Sequence, residues 1–293
     1  MKLKRLTATT IVALAVLGND AAVAPHGVFA EGLLSRTSPD GWLARCCGLQ
    51  REGLTGHPEA LGYPYDTCLW AGTIPRQGEH GEAWWRYEQT AYYVDGLLRL
   101  GYATGDSELI RKGESNVDWV LEHASPEGYL GDECLWKGGK GEMWPMAVFF
   151  RAMKAKFDAT GDPRIPAALA KYYRLHSPEV LCRGRNTVHV EGLCWTFGKT
   201  GDRELLRLAE EAWKQKSDTK ECLTPTMAHE DAPFHLHGVT VCEQLKIPLL
   251  LFAYTGKNEY LEQARNLHRR LVRDHWLPDG CISSTELTRR ARN

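Results

Sequence analysis

The stretch Ala159-Thr160-Gly161-Asp162 decides the fold, because close copies of it recur along the chain. They are Ala103-Thr104-Gly105-Asp106, Lys199-Thr200-Gly201-Asp202 and Tyr254-Thr255-Gly256-Lys257. Each copy follows an aromatic-rich segment of helical character and precedes a second helical segment. The glycine can take the left-handed conformation that closes a helix. The Asp after it, or Asn258 in the fourth copy, can cap the next helix. Each copy therefore reads as the turn of an antiparallel helical hairpin.

Apolar spacing supports this reading. Leu109, Ile110, Gly113, Val117, Val120 and Leu121 recur at helical period. So do Leu205, Leu206, Leu208, Ala209, Ala212 and Trp213, and then Tyr260, Leu261, Ala264, Leu267, Leu271 and Val272. The turn threonines lie 40 to 56 residues apart. That irregular spacing fits a ring of hairpins better than a uniform solenoid. No alternating strand pattern competes. The expected class is all-α, an (α/α)6-type toroid. Roughly four hairpins and an N-terminal helix are present, so the ring is expected to be open, with an apolar edge that favours self-association.

Composition narrows the function. The 293 residues carry 36 basic and 37 acidic side chains, a net charge of -1. No basic excess exists to hold a phosphate backbone, which disfavours nucleic acid. Ten Trp, 11 Tyr and 7 Phe suit a core or a sugar-stacking cleft. Lys2, Lys4 and Arg5, the apolar run Leu6–Leu17 and the small-residue pattern Val28-Phe29-Ala30 read as an export signal over 1–30. The run is too short to span a membrane. The expected location is periplasmic or secreted, with the toroid over 31–293. The nine cysteines include no C-x-x-C pair, and most read as small buried hydrophobes.

Between hairpins lie loops rich in Gly, Pro, His and Trp, which in a ring converge on one cleft. Glu88, in Trp84-Trp85-Arg86-Tyr87-Glu88, is either a sugar-contacting carboxylate among aromatic rings or a helix-start acid favoured by the dipole. Glu191 is the only acid of a mostly apolar helix, a costly place unless it is paired or functional. His237 heads a helix and either bonds substrate or is exposed. His235 is two residues away and cannot share a helical face with it, which makes zinc binding by that pair weak. Glu243 and Lys246, at i, i+3, read as a surface pair. Glu286 follows the last hairpin as an acid/base candidate or a solvated loop acid. Trp84 and Trp144 are candidate sugar platforms.

Taken together, Tyr87-Glu88-Gln89-Thr90, Glu127-Gly128-Tyr129-Leu130-Gly131, the Thr-Gly turns, His237-Gly238-Val239 and Pro278-Asp279-Gly280 through Ser284-Thr285-Glu286 resemble glycoside hydrolase family 127, the β-L-arabinofuranosidase group. The resemblance runs from about Asp40 to Glu286. It implies an (α/α)6 barrel followed by β-sandwich domains, and retaining hydrolysis with a zinc-bound cysteine thiolate as nucleophile. It places the acid/base on Glu286 and sugar contacts on Glu191 and His237. Glu88 stands where many members carry His. The family's zinc ligands lie downstream of the matched Glu. The chain ends at Asn293, and Leu287–Asn293 contains no Cys or acid. The resemblance therefore implies zinc for the family but supplies no metal ligand here. The expected partner is an oligosaccharide or plant-type glycan, bound at a site acting on terminal furanosides. Weak or no hydrolysis is expected of this chain. A non-catalytic carbohydrate-binding protein, or another α/α-toroid enzyme such as an unsaturated uronyl hydrolase or a sugar epimerase, is the alternative. That last route needs His189 with Glu191, or His235 with His237, facing one cavity.

Overall fold

The computed structural model describes residues 24–25, 33–70, 84–132, 135, 143–217 and 222–288. Apart from residues 24 and 25, the expected export signal lies outside them, as do Cys134 and the side chain of Trp84. The described elements are helical almost throughout. A lone helix, α1 (Gly41–Glu52), comes first. Four hairpins follow. They are α2 (Trp84–Thr104) with α3 (Ser107–Glu122), then α4 (Trp144–Thr160) with α5 (Arg164–Tyr173). After the short helix α6 (Pro178–Leu181) come α7 (His189–Thr200) with α8 (Arg203–Lys214). Helix α9 (Gly238–Gln244) leads into α10 (Ile247–Thr255) with α11 (Asn258–His275).

The four turns share one construction. Gly105, Gly161, Gly201 and Gly256 all sit at φ 68–71°, the region that glycine enters without Cβ strain. In each, the threonine hydroxyl donates to the carbonyl four residues back, at 2.7–2.8 Å. Asp106 then accepts from the N–H groups of Glu108 and Leu109, and Asp202 from that of Glu204. The fourth turn differs from the sequence expectation. Lys257 occupies the cap position without a side-chain cap bond, and Asn258 is already the first helical residue. The Lys257 ammonium instead pairs with Glu210 of the preceding hairpin.

The first helices of successive hairpins (α2, α4, α7 and α10) lie beside one another, and each second helix packs against its own first. This is the toroid arc. The second helices bury one face only: Leu205, Leu208, Ala209, Ala212 and Trp213 on α8, for example. On α11 the pattern departs from the expected apolar stripe. Val272 is exposed, while Gln263, Arg270 and His275 are buried. These polar groups hold the 227–236 loop, as described below. Helix α1 contributes no buried residue, and Trp42 and Leu49 on it are 64% and 70% exposed.

Two further expectations are corrected. Only Cys194 and Cys222 among the described cysteines are buried; Cys46, Cys242 and Cys281 lie on the surface. Hydrophobic neighbours in the sequence were a poor guide because α9 is short and turns one face outward. Residues 284–288 form a small antiparallel hairpin, with β1 (Ser284–Thr285) and β2 (Leu287–Thr288) in register Ser284 to Thr288. Two-residue strands are too short for any alternation to be read. No described helix is long and apolar enough to cross a membrane.

Candidate active site

Glu286 is the single residue between β1 and β2. Its φ is 69°, the only positive φ outside glycine among the described residues. A side chain held there costs backbone energy, and such positions concentrate at functional sites. Its carbonyl accepts from the N–H of Gly238 at 2.6 Å. Leu236 and Thr288 exchange two more bonds, N–H to Oγ1 at 3.1 Å and N–H to carbonyl at 2.8 Å. The hairpin is thereby docked on the segment that enters α9. Gly238 is needed for this approach, since a Cβ there would stand 2.3 Å from the Ser284 hydroxyl oxygen.

His237 is the N-cap of α9. The backbone N–H of Thr240 donates to its Nδ1 at 3.2 Å. A backbone N–H can only donate, so in the neutral ring the proton sits on Nε2. Nε2 faces Glu286 Oε2 at 3.1 Å. The helix cap thus selects the tautomer that donates to the carboxylate. The His237 side chain is 14% exposed and that of Glu286 85%.

The loop carrying His237 is fixed from behind by α11. Arg270 Nε donates to the carbonyl of Ala232 at 2.7 Å, and its Nη1 to that of Met227. Asn266 Nδ2 donates to the carbonyls of Ala228 and Glu230, each at 2.8 Å. His275 Nε2 accepts from the N–H of Phe234 at 2.9 Å. The sequence reading missed this support because the polar anchors interrupt the apolar period.

Arg185 joins this group to α4. It lies in the 3-10 segment Gly184–Val188. Its Nη2 is 3.3 Å from His237 Nε2, and its guanidinium carbon is 5.3 Å from the Trp144 ring centroid. Trp144 Nε1 donates to Glu88 Oε1 at 2.6 Å. Glu88, Trp144, Arg185, His237 and Glu286 therefore form one continuous run. Trp144 itself is 1% exposed. The sugar-platform role expected for it is corrected: a buried ring offers no face to a ligand, and the indole instead positions Glu88 and Arg185.

Glu191 lies on a second run. Its Oε2 meets Lys246 Nζ at 2.6 Å, and Lys246 also reaches Glu243 at 3.3 Å. Arg151 of α4 pairs with Glu243 from the other side. Glu243 and Lys246 are indeed an i, i+3 pair, but one that ties α9 to α7 and α4. Burial works against the Arg151 charge, yet Glu243 outweighs it and leaves the guanidinium pKa above its ordinary value. Tyr92 of α2 lies within electrostatic reach of both runs. Partial burial raises its phenol pKa, and the ring feels Glu88, Arg151, Glu243 and Arg185 together. No pattern along the chain points to Arg151, Arg185 or Tyr92. Arg185 sits in a five-residue 3-10 stretch without periodicity, and the other two are single polar positions on long helices.

His189 and His235 do not join either run. His189 is 1% exposed, and its Nε2 contacts the Met143 carbonyl at 2.9 Å. Glu191, two residues on, turns instead to Lys246. His235 is exposed while His237 is half-buried. The pairs required by the uronyl-hydrolase or epimerase route therefore point to different surroundings.

The described residues show no ligand set that fits the zinc implied by the resemblance. Among the described residues no three His, Cys, Asp or Glu side chains gather to hold a metal. Cys242 lines a hollow of about 310 Å3 beside Gly238, Glu243 and Ser284. Burial, followed by the Glu243 charge, raises its thiol pKa and disfavours the thiolate. A larger hollow, about 630 Å3, lies between α1 and the first hairpin turn. Its cation Arg51 is already engaged with Asp106 at 2.7 Å, so volume and chemistry fall in different places.

Solved structures share this architecture. A GH127 beta-arabinofuranosidase superposes with a TM-score of 0.63 at 14% identity, over 92% of this chain and 47% of its own. The chain has the fold of part of a GH127 enzyme. A GH127 beta-L-arabinofuranosidase from Geobacillus stearothermophilus T6 gives 0.64 at 14% identity, covering 87% of this chain and 48% of that one. Another glycoside hydrolase gives 0.58 at 13%, covering 91% and 40%. At these identities the likeness is one of fold. The chain spans less than half the length of each of these proteins. No family model matches the sequence, and no curated protein does.

Proposed function

We propose that the cleft binds a glycan and that the chain is the helical part of a glycosidase-type protein for terminal furanosides, such as β-L-arabinofuranosides. The observation that carries this reading is the His237–Glu286 pair, 3.1 Å apart and aimed by the head of α9. Glu286 is the proposed acid/base. Its exposed carboxylate can reach a glycosidic oxygen, and the His237 N–H orients it. Glu88 and Glu191 accept hydrogen bonds from sugar hydroxyls. Glu191 and Glu243 are each tied to a cation, which leaves them suited to binding rather than to nucleophilic attack. Turnover by this chain is accordingly weak or absent, and glycan binding without turnover is the second reading.

Hydrolysis of a chromogenic aryl furanoside, measured beside binding of L-arabinose, tests both. Slow release that disappears in Glu286→Gln is expected under the first reading. Binding with no release is expected under the second. Robust release that survives Glu286→Gln would overturn the site assignment.

A further inference from the structure

Trp144 carries two opposite charges that do not pair with each other. Its Nε1 donates to Glu88 at 2.6 Å, and the Arg185 guanidinium lies over its ring at 5.3 Å. Neither Glu88 nor Arg185 forms an ion pair with any described residue. The side-chain atom facing Arg185 Nη2 is His237 Nε2, at 3.3 Å. That nitrogen holds the ring proton, because Nδ1 accepts from the N–H of Thr240. The half-buried guanidinium therefore has an aromatic contact but no oxygen acceptor among the described residues. Tyr92 lies within electrostatic reach of both charges.

Opposite charges that share one neighbouring side chain can bridge each other directly. Here the indole holds one on its edge and the other over its face. What the gap can take follows from charge. A carboxylate ligand would suit Arg185 but would meet Glu88 and Glu286. A cation would suit the two carboxylates but meet Arg185. A hydroxyl does both tasks, accepting from the guanidinium and donating to the carboxylate. Two adjacent hydroxyls satisfy both walls at once and add no net charge.

We propose that Arg185 and Glu88 form a two-point clamp for the vicinal diol of an uncharged polyol, a sugar on the reading above, with Trp144 as the spacer between them and Arg185 as the residue that sets specificity. This rests on the glycan reading above and adds to it a selectivity against acidic sugars. Arg185 is a ligand-binding residue in this scheme, and it takes no part in proton transfer.

Ligand-observed NMR titration of L-arabinose, D-galacturonate and myo-inositol tests the clamp. The variants are Arg185→Met, Arg185→Lys and Glu88→Gln, each checked for an unchanged unfolding midpoint. The wild-type chain is expected to bind L-arabinose and to reject D-galacturonate. Arg185→Met is expected to weaken L-arabinose at least about tenfold, the scale of one charge-assisted hydrogen bond. Arg185→Lys keeps the charge but loses the planar fork and is expected to recover part of that loss. Glu88→Gln removes one of the two repelling carboxylates and is expected to improve binding of D-galacturonate, a change that a merely structural role would not produce. It also keeps the test open should Arg185→Met fail to fold. Wild-type strength for L-arabinose in Arg185→Met, or a wild-type preference for D-galacturonate, would overturn the clamp. Arg185-dependent binding of myo-inositol without any sugar binding would sink the glycan reading and leave the clamp standing. Absence of binding to all three probes would remove both.

Discussion

In one part of the site, Glu88, Arg151, Glu191 and Lys246 rise from helices or their ends and are held by side chains: Glu88 by Trp144, Arg151 by Glu243, and Glu191 by Lys246. In the other, His237 and Glu286 stand on a loop and a short hairpin, held by backbone bonds and by buried polar groups of α11. In the helix-borne wall Lys246 and Glu243 each have two charged partners, so the loss of one of those contacts is shared. The loop-borne wall depends on a few remote anchors that touch no ligand. Precision in a cleft can thus come from redundancy on one side and from distant tethering on the other.

The largest expected effect falls on the helix-borne wall and comes from acid. His189, at the head of α7, and His176 beside it are buried, and burial lowers their pKa values to about 4 and about 3. The unfolded chain takes up protons on both near the ordinary value of 6.5, whereas the folded chain does not. Their contribution is therefore intact above pH 6.5 and declines as the pH falls below it, until the folded values are reached. At pH 5 the loss is about 2 kcal/mol for each histidine. Urea unfolding at pH 7 and pH 5 measures it, and His176→Phe should remove about half of the difference. A midpoint that does not move with pH would mean that these rings do not stay neutral in the fold.

Arg270→Met is the next in size. It strips the donors from the Ala232 and Met227 carbonyls and removes a guanidinium lying 4.4 Å from the Phe234 ring. A loss of about 3 kcal/mol is expected, the usual scale for a broken buried polar network. Faster proteolysis within residues 222–237 should accompany it. Equal protection of that loop in the variant would erase the contrast between the walls.

The smallest effect is expected of Glu191→Gln. Its side chain is 31% exposed and that of its partner Lys246 36%, and Lys246 retains Glu243. Stability should change by about 0.5 kcal/mol or less. A larger loss in thermal unfolding would show that the helix-borne wall lacks the redundancy described.

The same contrast explains what could be read from the sequence. The Thr-Gly turns announced the hairpins because a left-handed glycine after a helix has few alternatives. Glu191 stood out as an acid in an apolar helix. His237 and Glu286 could be singled out by motif, but nothing local indicated that they would meet, since 49 residues and a whole hairpin separate them. Arg270 and His275 occupy core positions that the apolar period reserves for hydrophobes, so the expected stripe on α11 was drawn through Val272 instead. Arg185 was invisible for a different reason: its importance lies in what it does not bind, and only coordinates reveal an unspent guanidinium.

The backbone at Glu286 has a further consequence. Glycine or asparagine would rest more comfortably at φ 69°, so the fold on its own would gain from replacing this glutamate. Variants chosen purely for heat resistance should drift toward losing the carboxylate, and any screen that rewards sturdiness will tend to discard the one group that the hairpin exists to present.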